Sequence, residues 1–359
     1  MLSGIVTQKK TLKGQTRAKR LGATRERRIR VSDNIPIPKG KEWQAFLKVN
    51  ENKEELFRYL SEEMVKTSTN SNYHFISTKG EFVLSNKPVD LSRINPSDHE
   101  EADTRMILHL YDAVTDGHET AFLRTVDSDV VILCIRFYHT LHGLGLKELW
   151  IGFGAGKHYK DIPIHEVANL LGPERSMAIL FFHAFTGCDV TSSFLGIGKK
   201  TAWNVWLIFP EVTLTMIALT EDPNELTEDS VHMQRLERFT VLMYSKSSNC
   251  TMVNEARQSM FIHNLKSLDS IPPTQAALFQ HCKRTVLIAS FIWQRSLQRL
   301  LSLPDFSLHG WEWNDRLNSW VPYWTVLDDV SSACALMLHC GCKTSCVKNC
   351  AKAGLRWMY

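Results

Sequence analysis

"HAFTGCDVTSSFLGIGKKTAW", residues 183–203, holds one acid, a Gly-x-Gly turn and two lysines at the head of an amphipathic segment. An Asp in a Gly-rich turn behind an apolar helix is ordinarily an N-cap, where its carboxylate accepts from a free backbone N–H. Asp189 means something else if acids from elsewhere in the chain converge on it. Two upstream stretches supply such acids.

The first is "HEEADTRM", residues 99–106. Pro96 and Ser97 are expected to open a long helix that stops at Gly117, with Ser97 and Glu100 as a capping box. Acids in a first helical turn are favoured by the helix dipole, which accounts for Glu100 but less readily for Glu101 and Asp103 together. In a helix those two would point about 200° apart, so one of them would act through water. The second stretch is "TVDSDVV", residues 125–131, where Asp127 and Asp129 are expected at a strand end. Residues i and i+2 of a strand point to the same side. Two carboxylates so placed repel unless a cation lies between them, although a solvated turn would serve equally for the pair alone.

The chain between and around these acids alternates elements. Two helical pieces, "EWQAFLKV" and "NKEELFRYLSEEMVKT", are expected first, the second with Leu56, Tyr59, Leu60 and Met64 on one face. Strands "YHFIS" and "EFVLS" should flank a Lys79-Gly80 turn. "TAFLRTV" and "LKELWIGFG" read as strands, and "SDVVILCIRFYHTL" as a buried helix or strand. From Pro163 onward the pattern is helical, to about Leu303. Strands alternating with helices imply an α/β fold with a mostly parallel sheet under helical cover, followed by a largely α-helical extension. In such a fold the carboxyl ends of parallel strands share one crevice. Acids gathered there make an oxygen-rich site suited to Mg²⁺ or Mn²⁺.

A helix with Glu101-Ala-Asp103, a strand end with Asp127-Ser-Asp129, and Gly187-Cys-Asp189 ahead of "GIGKKTA" follow one another in this order. In order and spacing, residues 97–208 resemble the flap endonuclease / XPG family of structure-specific nucleases, within the PIN-like fold. The segments "HEEADTRM", "TVDSDVV", "ELWIGFG" and "HAFTGCD" further resemble a group of animal proteins associated with transposon-like gene copies. The resemblance implies a PIN-like domain over residues 41–210 that includes a helix-two-turn-helix. It implies one or two Mg²⁺ or Mn²⁺ ions held by Glu101, Asp103, Asp127, Asp129 and Asp189, and hydrolysis of phosphodiesters in structured DNA or RNA. Gly196, Ile197 and Gly198 would offer backbone N–H groups to a phosphate, with Lys199 and Lys200 adding charge. The family also draws acids from its first two strands. The corresponding segments here, "MLSGIVTQKK" and "ISTKG", contain none. A weak or inactive nuclease, or a nucleic-acid-binding protein on a nuclease-derived fold, is the expectation that follows. A protein-interaction module built on the C-terminal part is a further alternative.

Charge divides the chain unevenly. Its 359 residues carry +4 overall, but residues 1–31 hold ten Lys/Arg against Glu26, which leaves the rest at −5. Residues 1–40 read as a basic, disordered arm, suited to a polyanion or serving only as a solvated leader. No apolar run reaches the roughly 18 residues of a membrane span, and no signal-peptide stretch follows Met1, so an intracellular, nuclear protein with reduced cysteines is expected. Residues 211–305 read as a helical extension and 306–359 as a Trp- and Cys-rich tail. Its "HGWEWNDRLNSWVPYW" is read as an aperiodic clasp or peptide-binding patch. Cys340, Cys342, Cys346 and Cys350, near Cys334 and His339, could bind Zn²⁺ as thiolates. Cys134, Cys188, Cys250 and Cys282 read as core thiols.

Overall fold

The computed structural model describes residues 28–33, 35–262 and 271–325, together with Leu12. The proposed zinc-binding cysteines and nearly all of the basic arm lie outside the described residues. The chain divides into two compact units, Met1–Pro322 and Tyr323–Tyr359.

The first unit opens with α1 (Lys41–Lys48) and α2 (Asn50–Thr67), followed by the hairpin β1 (Ile76–Lys79) and β2 (Phe82–Ser85). Helix α2 forms as its composition predicts, and the expected face is covered in part: Leu56 and Tyr59 are half-buried. Leu60 and Met64 remain exposed, whereas Asn52 and Ser61 are buried. The hairpin approaches along the Ser61 side, and Ser61 donates to the Thr78 carbonyl at 2.8 Å. Asn52 donates to the Phe46 carbonyl at 3.3 Å and accepts from the Ile29 N–H at 3.0 Å. Polar contacts thus bury Asn52 beside the apolar face and Ser61 on the opposite one.

Helix α3 (Ala102–Thr115) starts later than the Ser97/Glu100 pattern implies. The preceding residues are held extended by distant partners. Ser97 donates its N–H to the Glu81 carbonyl at 2.8 Å, and Asn95 accepts from the Val83 N–H at 3.1 Å. The His99 ring bridges Thr104 and the Gln298 carbonyl. No capping box forms: the N-cap position of α3 falls on Glu101 and has no side-chain cap hydrogen bond. Glu101 becomes the residue just before the helix, with an extended backbone (φ −86, ψ 131).

Strand β3 (Thr120–Thr125) leads into α4 (Ser128–Gly143), which settles "SDVVILCIRFYHTL" as a helix. Then come β4 (Glu148–Phe153), β5 (Lys160–Pro163) and α5 (Ile164–Phe185). The sheet has the order β3-β4-β5. Its β3-β4 pair is parallel and its β4-β5 pair antiparallel, so the fold is mixed α/β with a small mixed sheet instead of a mostly parallel one. The antiparallel strand was not apparent in the sequence, because "KDIP" is too short to show a period of two.

Helix α5 is the centre of the first unit. It bends where Gly172 takes a non-helical conformation (φ 77, ψ 166) ahead of Pro173, the combination expected to break a helical ladder. After the bend, residues 178–186 are all buried. A helix apolar all round must be covered on every side. Here α4, α7 (Val212–Glu221) and α10 (Gln275–Val286) pack against it. Helix α6 (Lys199–Ile208) adds Trp206, whose ring stacks on Phe182 at 4.8 Å. Helices α8 (Val231–Tyr244) and α9 (Val253–Ile262) complete the expected helical half.

Helix α10 runs on into a π-helical stretch, Leu287–Trp293, most of whose side chains are buried. The Trp-rich segment is a hairpin, β6 (Trp311–Asn314) with β7 (Ser319–Pro322). Trp311 and Trp320 are buried with Leu12 and Leu287, so these rings pack inward, one side of the expected alternatives. The Trp-Glu-Trp alternation was the strand signal. Among the described residues, no single helix is long and apolar enough to cross a membrane; α6 and α7 reach that length only together, bent by 111°.

Candidate metal centre

Two helix N-termini meet beside the end of β3. Strand β3 stops at Thr125, so Asp127 and Asp129 are not side by side on a strand as expected. Asp127 is the N-cap of α4, and its carboxylate accepts the Asp129 N–H at 3.0 Å. The Thr125 hydroxyl accepts the Asp127 N–H at 2.9 Å, which fixes the turn. Asp129 lies in the first turn of α4, and Asp103 lies in the first turn of α3. The "VDSD" order therefore yields a cap followed by a helix, a local pattern that the strand reading missed.

Asp103, Asp127 and Asp129 each offer a carboxylate oxygen, and these three atoms lie within 4.8 Å of one another. Asp103 and Asp129 are buried and Asp127 is half-buried. Among the described residues this is the only group of three or more acidic, Cys or His side chains so gathered. Like charges at about 4 Å repel by about 4 kcal/mol at an effective dielectric near 20. The positive ends of α3 and α4 offset part of that repulsion, each contributing about 0.3–1 kcal/mol. A cation seated among the three oxygens would offset it further. The donor set contains only carboxylate oxygen, which fits a hard divalent ion that retains part of its water shell, such as Mg²⁺ or Mn²⁺.

The other two expected ligands do not join this group. Glu101 is buried ahead of α3, outside the triad. Asp189 is exposed and also outside it. Its loop approaches the triad through the preceding residue instead. Burial pushes the Cys188 thiol up from its ordinary value, and the Asp129 carboxylate adds to that shift. Gly187 makes the sharp bend (φ 106), and a Cβ there would meet Ser193 Cβ at 2.9 Å. The glycine in "TGCD" thus serves the close fold of this loop on itself.

A residue without a role in the sequence reading supports the triad. His183 is 5% exposed, and its Nε2 lies 2.9 Å from Asp129 Oδ1. A lone histidine in "AILFFHAF" reads as core; only the fold brings it to an acid 54 positions earlier. The His183 ring also lies against Trp293, with centroids 5.7 Å apart.

The Gly-Ile-Gly-Lys turn is partly used within the protein. Ile197 donates its N–H to the Phe194 carbonyl at 3.1 Å. Lys199 is exposed as a whole residue, yet its ammonium turns inward. It donates to the His183 carbonyl at 2.8 Å, the Thr186 hydroxyl at 2.9 Å and the Gly187 carbonyl at 2.7 Å. These acceptors sit at the end of α5, where carbonyls lack helical partners and the dipole favours a cation. Lys199 is therefore a C-terminal cap for α5, whereas a phosphate contact was expected of it. Gly196, Gly198 and Lys200 are exposed at the head of α6. Comparison with known proteins finds no matching family model, no matching curated protein and no matching solved structure.

Proposed function

We propose that this chain is a metal-binding protein on a PIN-like, flap endonuclease-like fold, acting on nucleic acid. The observation that carries the reading is the buried carboxylate triad Asp103, Asp127 and Asp129. Asp103 and Asp129 would hold one Mg²⁺ or Mn²⁺ from two helices, with Asp127 held as a cap beside them. Such an ion, when bound, can activate water and stabilise a leaving phosphodiester oxygen. The α6 N-terminus, with Gly196, Gly198 and Lys200, and the ten basic residues of positions 1–31 supply sequence-independent affinity for a phosphate backbone. Structured DNA is the preferred substrate class by resemblance.

A binding role with little or no cleavage is favoured by the place of Asp189. With that acid exposed and outside the triad, the carboxylates are enough for one ion, while the leaving oxygen in this chemistry usually needs a second. Flap, fork and single-stranded oligonucleotides incubated with the protein in Mg²⁺ or Mn²⁺, beside Asp129→Ala, test the two roles. Binding with turnover near background is expected. Robust turnover that Asp129→Ala abolishes would restore a full enzyme. Neither binding nor cleavage would remove the nucleic-acid reading altogether.

A further inference from the structure

Three groups hold His183 in one place. Its backbone carbonyl accepts from Lys199, its ring leans on Trp293, and its Nε2 meets Asp129. Trp293 is 2% exposed and closes the π-helical stretch Leu287–Trp293. Single π turns inside helices recur at functional sites, where they re-aim a side chain. The indole N–H of Trp293 is buried and has no acceptor among the described residues. Leaving such a donor unpaired costs about 1–3 kcal/mol, so simple core packing is a poor reason for placing a tryptophan here.

We infer that His183 is a positioning residue for the acidic site: its Nε2–H holds the Asp129 carboxylate in the orientation that gathers it with Asp103 and Asp127. This inference rests on the reading of Asp103, Asp127 and Asp129 as a cation site. His183 is not itself a ligand, because its nitrogens do not join the three clustered oxygens. A carboxylate in a first helical turn can rotate about its terminal bond. A hydrogen bond to one oxygen restricts that freedom and keeps the carboxylate turned toward the other two acids. Removing outer partners of this kind typically lowers metal affinity by about 10–100-fold. The two carboxylates of α4 are thereby oriented by different means. Asp127 accepts a backbone N–H from its own helix, and Asp129 accepts a ring N–H from α5. The second depends on the tertiary fold, so the site is complete only when α5 is docked. Lys199 ties the loop after α5 to the same turn, which couples the head of α6 to the acid site.

Two substitutions separate the hydrogen bond from the packing. His183→Phe keeps a ring against Trp293 and removes the donor. His183→Gln removes the ring and keeps an N–H at the reach of Nε2. Mn²⁺ affinity of the full chain is measured from the free-ion electron paramagnetic resonance signal, with near-ultraviolet circular dichroism as the check on folding. His183→Phe should weaken Mn²⁺ binding about tenfold or more, and His183→Gln should stay within about threefold of the unsubstituted chain. Phe binding as tightly as His, or Gln losing as much as Phe, overturns the inference while leaving the cation site standing. If the unsubstituted chain takes up no Mn²⁺, the cation-site reading falls and the role of His183 falls with it. Should His183→Phe fail to fold, His183→Leu takes its place as the variant without a donor and is held to the same expectation.

Discussion

Asp127 and Asp129 are two residues apart, and the helix that begins between them is what lets both be carboxylates. One accepts the other's N–H, and both sit where the α4 dipole favours negative charge. Their pairing was legible in the sequence because it is local. Asp103 joins through packing of α3 on α4, which no local pattern specifies, although the acidic "EAD" marked where to look. His183 was illegible, since one polar residue in an apolar run looks the same whether it caps a void or orients a ligand. Asp189 was misleading for the opposite reason: its sequence setting matched a family motif, and its side chain is exposed. The contrast can be measured. Asp103→Asn should reduce Mn²⁺ affinity at least tenfold, because it removes one of three clustered charges. Asp189→Asn should leave it within about twofold. Mn²⁺ at about 100 times its Kd should stabilise the unsubstituted protein by about 2.7 kcal/mol, and a thermal melt with and without the ion reads all three proteins. An Asp189→Asn loss as large as that of Asp103→Asn would place Asp189 in the site after all.

Among the elements, α5 and its exit loop decide most. The apolar second half of α5 was legible as a buried helix, and so was the Gly-rich turn behind it. The direction of Lys199 was not. A lysine at a helix start near a Gly-x-Gly turn suits a phosphate, but the free carbonyls ending α5 lie within its reach and compete for the same ammonium. The same competition delayed the start of α3, where residues 95–99 are taken up by the hairpin and by residues 298–301. Boundaries thus went astray where a distant backbone offered partners. The two lysines of "GKKTA" should behave differently on substitution. Lys199→Met removes charge-assisted bonds worth about 1.5–3 kcal/mol in aggregate, and urea unfolding should show a loss of that size. Lys200→Met should stay within about 0.5 kcal/mol, as surface substitutions do. Equal stability of the two variants would mean that Lys199 does not cap α5.

At the scale of the whole molecule, the core encloses histidines as well as acids, and this gives its stability a pH dependence of definite sign. His281 on α10 is buried, with Nε2 on the Phe185 carbonyl at 2.7 Å and Nδ1 near the Ser192 hydroxyl. Burial pulls its pKa down to about 4, the Phe185 carbonyl opposes the shift and Arg284 reinforces it. His109 on α3 is likewise drawn down to about 4, by burial first and then by Arg105 and His99. Burial lowers His99 as well. In the unfolded chain these rings take a proton near pH 6.5, while in the folded protein they refuse it until much lower pH. Below pH 6.5 the unfolded state therefore binds more protons, and folding weakens as acid is added. The stability these rings provide is complete above about pH 6.5 and is lost as pH falls toward 4. A shift of that size corresponds to on the order of 3 kcal/mol at each of the two strongly shifted sites. Urea unfolding of the metal-free protein from pH 7.5 to pH 4.5 should show a steep decline. His281→Gln keeps a donor for the Phe185 carbonyl and cannot titrate, so its decline should be shallower, and the two curves should approach one another toward the acid end. A parallel decline in both proteins would assign the acid sensitivity to groups other than His281.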